Sequence, residues 1–438
     1  MSTLRDNAVK IVETLRGAGF KAFWAGGCVR DLVIERDPED YDIATDARPE
    51  QVMLLFPKTV PVGVSFGVVR VMAGAFEFEV ATFRSDGRYL DGRHPVAVRF
   101  SDEREDALRR DFTINGMFYD PIQKEILDYV GGRQDIQAGV IRAIGNPAQR
   151  FEEDKLRLLR AVRFSARFGY AIEPGTEAAM RGMAGGILQI SAERIRDELK
   201  KMLTGPAPAQ SIRLLRQCGL LQEILPEVTA MEGVEQPKEF HPEGDVMTHT
   251  LLLLDGLKAP SFELALGALL HDIGKPPTFT VRERIRFDNH CEVGARMTEA
   301  IGRRLKLSNE QTEVVVELVR DHLRFKDVKQ MRESTLKRFL RRPTFPEHLE
   351  LHRLDCLASH GNLSLWEFCR QKLSELGPEE IRPKRILTGG DLMDLGFSPG
   401  PIFSEILTGL EDAQLEGKIR TKPEAVEWVR AQFPREAP

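Results

Sequence analysis

Two apart in DPEDYDIAT, Asp40 and Asp42 fall in a run of strand-like composition. A strand's period of two turns both carboxylates to one face. Such a pair is a ligand set for a hard divalent cation, although it also fits a solvated strand edge. A third carboxylate, Glu79, follows in FEFEVATFR, with Glu77 on the same face as the other candidate. Three converging carboxylates are what phosphoryl transfer with two Mg²⁺ ions needs. One ion lowers the pKa of an attacking hydroxyl, and the other holds a triphosphate and neutralises charge on the leaving group. Ahead of them, AGGCVRD places Gly26 and Gly27 between an apolar run and a predicted helix. Their N–H groups approach phosphate oxygens with no Cβ in the way, and Arg30, one turn on, is placed to meet the same phosphates; a lone glycine pair also reads as a plain turn.

The elements that must carry these groups follow from the apolar pattern. KAFWAG, YDIAT, FGVVRVMAG and FEFEVATF have strand composition and are separated by Gly and Asp turns, which predicts a small sheet with helices between its strands up to about residue 130. A first helix precedes it, with Leu4, Ala8, Ile11, Val12 and Leu15 on one face and Gly17 and Gly19 at its end. Beyond about Arg142 the period changes to that of a helix, in FEEDKLRLLRAVRFSARFGY, SAERIRDELKKMLTG and AQSIRLLRQCGLLQEILPEV. The expected fold class is therefore α+β, a head with a small mixed sheet followed by a mostly α-helical remainder. Breaks at Gly205 to Ala209, Gly233 to Gly244 (GVEQPKEFHPEG) and Leu376 to Lys384 read as linkers.

With 438 residues the chain has room for two to four domains and a substantial core. A hydrophobic fraction of 42% and a charged fraction of 29% exclude membrane, collagen-like and wholly disordered classes. The 62 Lys and Arg against 67 Asp and Glu leave a net charge of -5, so any RNA must be held by local patches rather than by a global field. Five cysteines without a CxxC suggest neither a disulfide framework nor a cysteine zinc site. No secretory leader or membrane span is evident, and the expected location is cytoplasmic.

GGCVRD, DYD at residues 40 to 42, EVATFR and then RRDFTING together resemble the class II tRNA nucleotidyltransferases, or CCA-adding enzymes, and the related bacterial poly(A) polymerases. The likeness covers residues 20 to about 230 and implies a polymerase β-like nucleotidyltransferase head. By this resemblance Asp40 and Asp42 are the metal-binding catalytic carboxylates and Glu79 the third. Gly26, Gly27 and Arg30 would contact the incoming nucleotide. In EDALRRDFTINGM, Asp106, Arg110, Asp111 and Asn115 fall on the motif that links the metal site to sugar and phosphate. A charged helix followed by an Asp111 N-cap is the other reading of that segment. VGVSFGVVRV stands where the family more usually has GxxHGT, and SDGRYLDGRHPVAVRFSDE resembles the family's flexible loop, which is expected in enzymes that add A as well as C.

RFEEDKLRLLRAVRFSARF matches the family's nucleobase-recognition helix. Three apart on a helix, Asp154 and Arg157 share a face, where a carboxylate accepts from an exocyclic amine and a guanidinium donates to ring acceptors. An ordinary surface salt bridge fits the same spacing. Arg157, Arg160, Arg163 and Arg167 form a stripe with no acid between Lys155 and Arg167, suited to phosphate contacts.

A second constellation lies further on. His249, His271 with Asp272 in LLHDIGKP, and Asp355 match the H…HD…D pattern of HD phosphohydrolases, and His290 and His322 fall where binuclear members carry extra ligands. Imidazoles with carboxylates suit Mn²⁺, Ni²⁺, Fe²⁺, Co²⁺ or Mg²⁺. The tail RILTGGDLMDLGFSPG resembles the C-terminal part of bacterial CCA-adding enzymes and lacks the basic extension of the classical poly(A) polymerases.

The expectation is thus a head at 1–140, a helical neck at 141–235, an HD domain at 236–375 and a tRNA-binding tail at 376–438. The expected reaction is CCA addition to tRNA 3′ ends from CTP and ATP, with Mg²⁺ in the head and a divalent transition metal or Mg²⁺ in the HD domain. The alternatives are A addition or poly(A) synthesis by the same chemistry, and an HD phosphohydrolase with an RNA-binding head. Nothing in the sequence indicates an oligomeric state.

Overall fold

The computed structural model describes residues 3–62, 66–86, 98–239 and 241–434. Residues 63–65 of VGVSFGVVRV and 87–97 of the expected flexible loop lie outside them. The chain divides into two compact units, 1–229 with 304–306, and 230–303 with 307–438.

In the first unit the expected strands form. β1 (Ala22–Ala25), β2 (Asp42–Thr45), β3 (Thr59–Val60), β4 (Val68–Ala73) and β5 (Phe76–Thr82) precede a small hairpin of β6 (Arg84–Asp86) and β7 (Val98–Phe100). β8 (Phe118–Asp120) and β9 (Glu125–Leu127) complete a seven-stranded sheet in the order β3-β4-β5-β2-β1-β8-β9. β1 is central and buried along its whole length, which is why AFWA carries no polar residue. Trp24 donates its indole N–H to Ala8 O at 3.4 Å, tying the sheet to the helix Leu4–Gly17. That helix buries Ala8, Ile11, Val12 and Leu15, the face expected from its period.

β2 and β5 pair in parallel, with Ile43 opposite Val80, while the other pairings in this sheet are antiparallel. One residue earlier in each strand stand Asp42 and Glu79. Phe78 and Val80 turn into the core and Glu77 and Glu79 away from it, so alternation in β5 decides which face receives the carboxylates. Asp40 precedes β2 rather than lying within it, but buried Tyr41 between two open aspartates keeps the strand's alternation.

The remainder of this unit is mostly helical, as expected, apart from a short parallel pairing of Val140–Ile141 with Ala171–Ile172. FEEDKLRLLRAVRFSARF is two helices, however, Pro147–Glu153 and Leu156–Phe168. Asp154 sits between them in extended backbone at φ −145° and ψ 104°, so the single-helix placement of Asp154 and Arg157 is corrected.

The second unit is predominantly helical. Its core includes a cluster around Phe325, Phe339 and Phe345, and the tail packs a separate small core of Leu387, Leu392, Ile406 and Leu410. GVEQPKEFHPEG is not a spacer, because Gln236 accepts from Lys275 and Glu243 contacts both His241 and His249 of the histidine cluster described below. Among the described residues no helix is long and apolar enough to cross a membrane.

Candidate active site

A cleft of about 430 Å³ opens in the first unit. Its lining brings together Gly26, Gly27, Arg30, Asp42, Arg110 and Asp111 with Asn115, Asp154, Arg157 and Arg160, all expected from sequence. It adds Arg109, Arg194, Leu156 and Phe164, which sequence reasoning missed. Six arginines face three aspartates there, so the cleft favours an anion although the whole chain is acidic.

Gly26 turns the chain from β1 into the helix Gly27–Val33 at φ 72° and ψ −126°, a conformation open in practice to glycine alone. A Cβ there would come within 3.2 Å of Arg110 Nη1 and 3.9 Å of Asp42 Oδ2. The glycine therefore lets the main chain pass directly beside the carboxylate.

Asp42 is open to the cleft, yet burial by surrounding protein is the first cause of a pKa pushed up to about 6. The negative charges of Asp40 and Glu79 raise it further and Arg110 opposes them. Mutual repulsion among three carboxylates is the electrostatic mark of a cation site. Glu79 meanwhile lies 3.7 Å from Arg70, whose other contact is Glu77 at 2.9 Å. Carboxylate oxygens are the hard donors that Mg²⁺ takes.

Behind the cleft, Asp106 is almost fully buried and clamps two arginines. Its Oδ1 accepts from Arg109 Nη2 at 2.6 Å and its Oδ2 from Arg110 Nη2 at 2.9 Å. Asp111 accepts from the Phe112 N–H at 2.8 Å and from Arg160 Nε at 2.7 Å. Burial alone would raise Asp111, but Arg160 and the Phe112 N–H bring it down to about 2. It is not the N-cap of the following 3₁₀ turn, where that position belongs to Phe112. Asn115 links these groups, accepting from Arg30 Nη1 at 2.7 Å and donating to Asp111 at 3.2 Å. A continuous polar chain therefore runs Arg30, Asn115, Asp111, Arg160.

Also in the lining, the side chains of Asp154 and Arg157 do not pair with each other. Arg194 Nη2 holds Asp154 Oδ2 at 3.0 Å. Arg157 donates to Glu153 Oε2 at 2.8 Å and to the main-chain oxygens of Arg150 and Arg109. The surface salt bridge that their spacing also allowed is absent. The arginine stripe is likewise not free of acids, because Arg160 meets Asp111 and Arg163 meets Glu198 Oε2 at 2.6 Å. Both acids come from other elements. Arg163 lines a neighbouring cavity instead of this cleft, with Arg167 and Lys201.

In the second unit His249, His271, Asp272, His290, His322 and Asp355 converge from five helices or helix ends. His249 Nε2 lies 3.0 Å from Asp355 Oδ1, and His271 Nε2 lies 3.1 Å from Asp272 Oδ2. Main-chain oxygens of Ala268, Phe287 and Val319 accept from Nδ1 of His271, His290 and His322 at 2.7 to 2.9 Å. That assigns the proton to Nδ1 and leaves each Nε2 lone pair for the centre. Burial, then neighbouring His271, holds His322 down to about 3, hence neutral at pH 7. Nε2 of His249 and of His271 and both Asp272 oxygens are buried without a well-directed hydrogen bond. Orphaned donors and acceptors of this kind fit a divalent cation. Sequence reasoning missed Glu243, whose Oε1 takes His249 Nδ1 at 2.7 Å and His241 Nδ1 at 2.9 Å.

The family described as the Poly A polymerase head domain matches residues 22–142. The probable RNA and SrmB-binding site of polymerase A matches 169–232, and the HD domain 245–358. The chain is 31% identical over 440 residues to a CCA-adding enzyme of Anoxybacillus flavithermus, covering 98% of each. It is 39% identical over 269 residues to that of Bacillus pumilus, covering 61% of this chain and 63% of the relative. The solved structure of the Bacillus stearothermophilus CCA-adding enzyme in complex with CTP superimposes with a TM-score of 0.75 at 27% identity, over 99% of this chain and 98% of that one.

Proposed function

Because this chain belongs to the family of CCA-adding enzymes and bacterial poly(A) polymerases that carry an HD domain, we propose that it adds CCA to tRNA 3′ ends from CTP and ATP. The observation that carries this reading is Asp42, whose charge Asp40 and Glu79 influence, in the lining of an arginine-rich cleft that also contains Asp154 and Arg157.

Asp40, Asp42 and Glu79 would hold Mg²⁺, which when bound lowers the pKa of the primer's 3′ hydroxyl and shields the triphosphate. The hydroxyl oxygen, its proton passing to solvent, attacks the α-phosphorus in line, and pyrophosphate leaves as the α–β phosphoanhydride bond breaks. Arg30, Arg109, Arg110 and Arg160 bind and orient phosphate oxygens, and the Gly26–Gly27 main chain lies close enough to approach them. Asp154 accepts from the exocyclic amine that C and A share, while Arg157 donates to the ring acceptor beside it. Arg194 and Glu153 hold these two side chains still, so the protein stands in for a template strand. The tail at 376–438 would hold tRNA by shape and backbone contacts.

Purified protein given tRNA transcripts lacking CCA, lacking only A, or already complete is expected to extend the first two and leave the third. Asp154→Ala is expected to lose preference for C and A over U and G, read by sequencing the products. Extension of the CC-ended transcript alone would establish A addition instead, and runs of A on every transcript would establish poly(A) synthesis.

The buried orphaned atoms around Asp272 support a second activity, metal-dependent phosphoester hydrolysis in the HD unit. With Mn²⁺ or Ni²⁺ the protein is expected to hydrolyse p-nitrophenyl phosphate. Replacing His271 and Asp272 together by alanine should lower that rate about 100-fold and leave incorporation unchanged; equal hydrolysis by the double variant removes the assignment.

A further inference from the structure

The two oxygens of Asp272 face different neighbours. Oδ2 lies 2.7 Å from Lys275 Nζ and 3.1 Å from His271 Nε2. Oδ1 lies 3.8 Å from Nε2 of both His290 and His322 and has no hydrogen-bond partner, in a side chain that is 2% exposed. Beside this corner stands Cys291, whose Sγ is 3.6 Å from His290 Nε2. One ligand atom each from His290, Cys291 and His322 lies within 4.8 Å of the other two.

The spacing can be compared with that around a metal. A tetrahedral ion with S at about 2.3 Å and N at about 2.0 Å holds those two ligands about 3.5 Å apart. The Cys291–His290 separation is that edge. The corner formed by His249, His271 and Asp355 offers only nitrogen and oxygen, whereas this one adds sulfur. A thiolate with the Asp272 carboxylate also balances the charge of a divalent ion. Cys291 is partly open, so an ion has a way in.

We propose that Cys291 is a metal ligand, completing with His290, His322 and Asp272 Oδ1 a corner that takes a thiophilic divalent ion such as Zn²⁺. The thiol proton passes to solvent as the sulfur–metal bond forms. This rests on the reading of the HD cluster as a metal centre. The two corners then prefer different metals, the oxygen- and nitrogen-lined one a harder ion and the sulfur-bearing one a softer ion.

The test is a titration of the reduced, metal-free full-length protein with Co²⁺ under anaerobic conditions, reading the absorption spectrum and the cobalt bound. A thiolate-to-cobalt charge-transfer band is expected and Zn²⁺ should abolish it. The band should vanish in Cys291→Ser and Cys291→Ala and persist in Cys356→Ala, which removes another sulfur near an imidazole, 3.6 Å from His352 Nε2. Loss of an outer-shell partner alone costs metal affinity 10- to 100-fold, so Cys291→Ser should weaken Zn²⁺ binding at this corner at least about 100-fold. Cobalt bound without the band, or a band that survives Cys291→Ala, overturns the role of Cys291 and leaves the HD centre standing. No cobalt bound outside the head, judged by equal stoichiometry in the His271→Ala, Asp272→Ala double variant, overturns the centre and this proposal with it.

Discussion

Asp42→Ala is expected to lower nucleotide incorporation about 10³-fold, because it removes a carboxylate proposed to hold the metal and with it about 4 kcal/mol of transition-state stabilisation. Folding should not suffer. Asp40 and Glu79 repel Asp42, so removing its charge relieves the metal-free head, and unchanged or improved thermal stability separates this loss from unfolding. The same repulsion sets a pH dependence. With the folded pKa raised to about 6, well above its unfolded value, the native state binds more protons between roughly pH 4 and 6. This group's contribution to stability without metal is therefore present at low pH and lost as pH rises through about 6. Metal binding has the opposite slope, since the carboxylate must ionise first. At limiting Mg²⁺, incorporation should fall steeply below about pH 6. A variant retaining more than a tenth of the wild-type rate would remove Asp42 from the chemistry.

The second large effect is expected from Asp106→Ala. Its buried carboxylate accepts four hydrogen bonds from the guanidinium groups of Arg109 and Arg110, both of which line the cleft. Removing one partner of a buried ion pair costs about 3 to 5 kcal/mol, and the partial exposure of both arginines places this case near 3. For a unit of this size that lowers the calorimetric transition by about 6 to 12 °C. KM for CTP and ATP should rise as well, because neither arginine keeps its aim. A transition within 2 °C of wild type would show that other groups hold the two arginines.

How much of this could be read from the residues depended on how local each signal was. Period-two alternation placed Asp42 on the open side of its strand and Glu77 and Glu79 together on that of another without choosing between the two glutamates, and the apolar stripe of Leu4–Gly17 was legible in the same way for the first helix. The partners of the arginine stripe were illegible for the complementary reason. Asp111 and Glu198 reach it from segments 49 and 35 residues away, and helical spacing speaks only of a helix's own neighbours. Asp154 looked helical because neither Gly nor Pro marks the break. Its torsion is set by tertiary contact with Arg194 and by the cap it offers to Leu156 N–H. GVEQPKEFHPEG looked like a spacer since Gly and Pro punctuate it, yet His241 and Glu243 within it steady His249. Arg109 and Arg194 carried no separating signal, being two arginines in already charged helices.

The parallel pairing of β2 with β5 has a consequence for the order in which the molecule matures. Parallel neighbours cannot be joined by a tight hairpin, so Glu79 reaches Asp42 only after the intervening helix Pro49–Leu55 and strands β3 and β4 have swung around. A chain emerging from the ribosome presents both aspartates long before their third companion arrives. Magnesium held as proposed would therefore reward the finished head and not its early steps, and ribosome-bound fragments ending before β5 should show no gain in protease resistance when the ion is supplied.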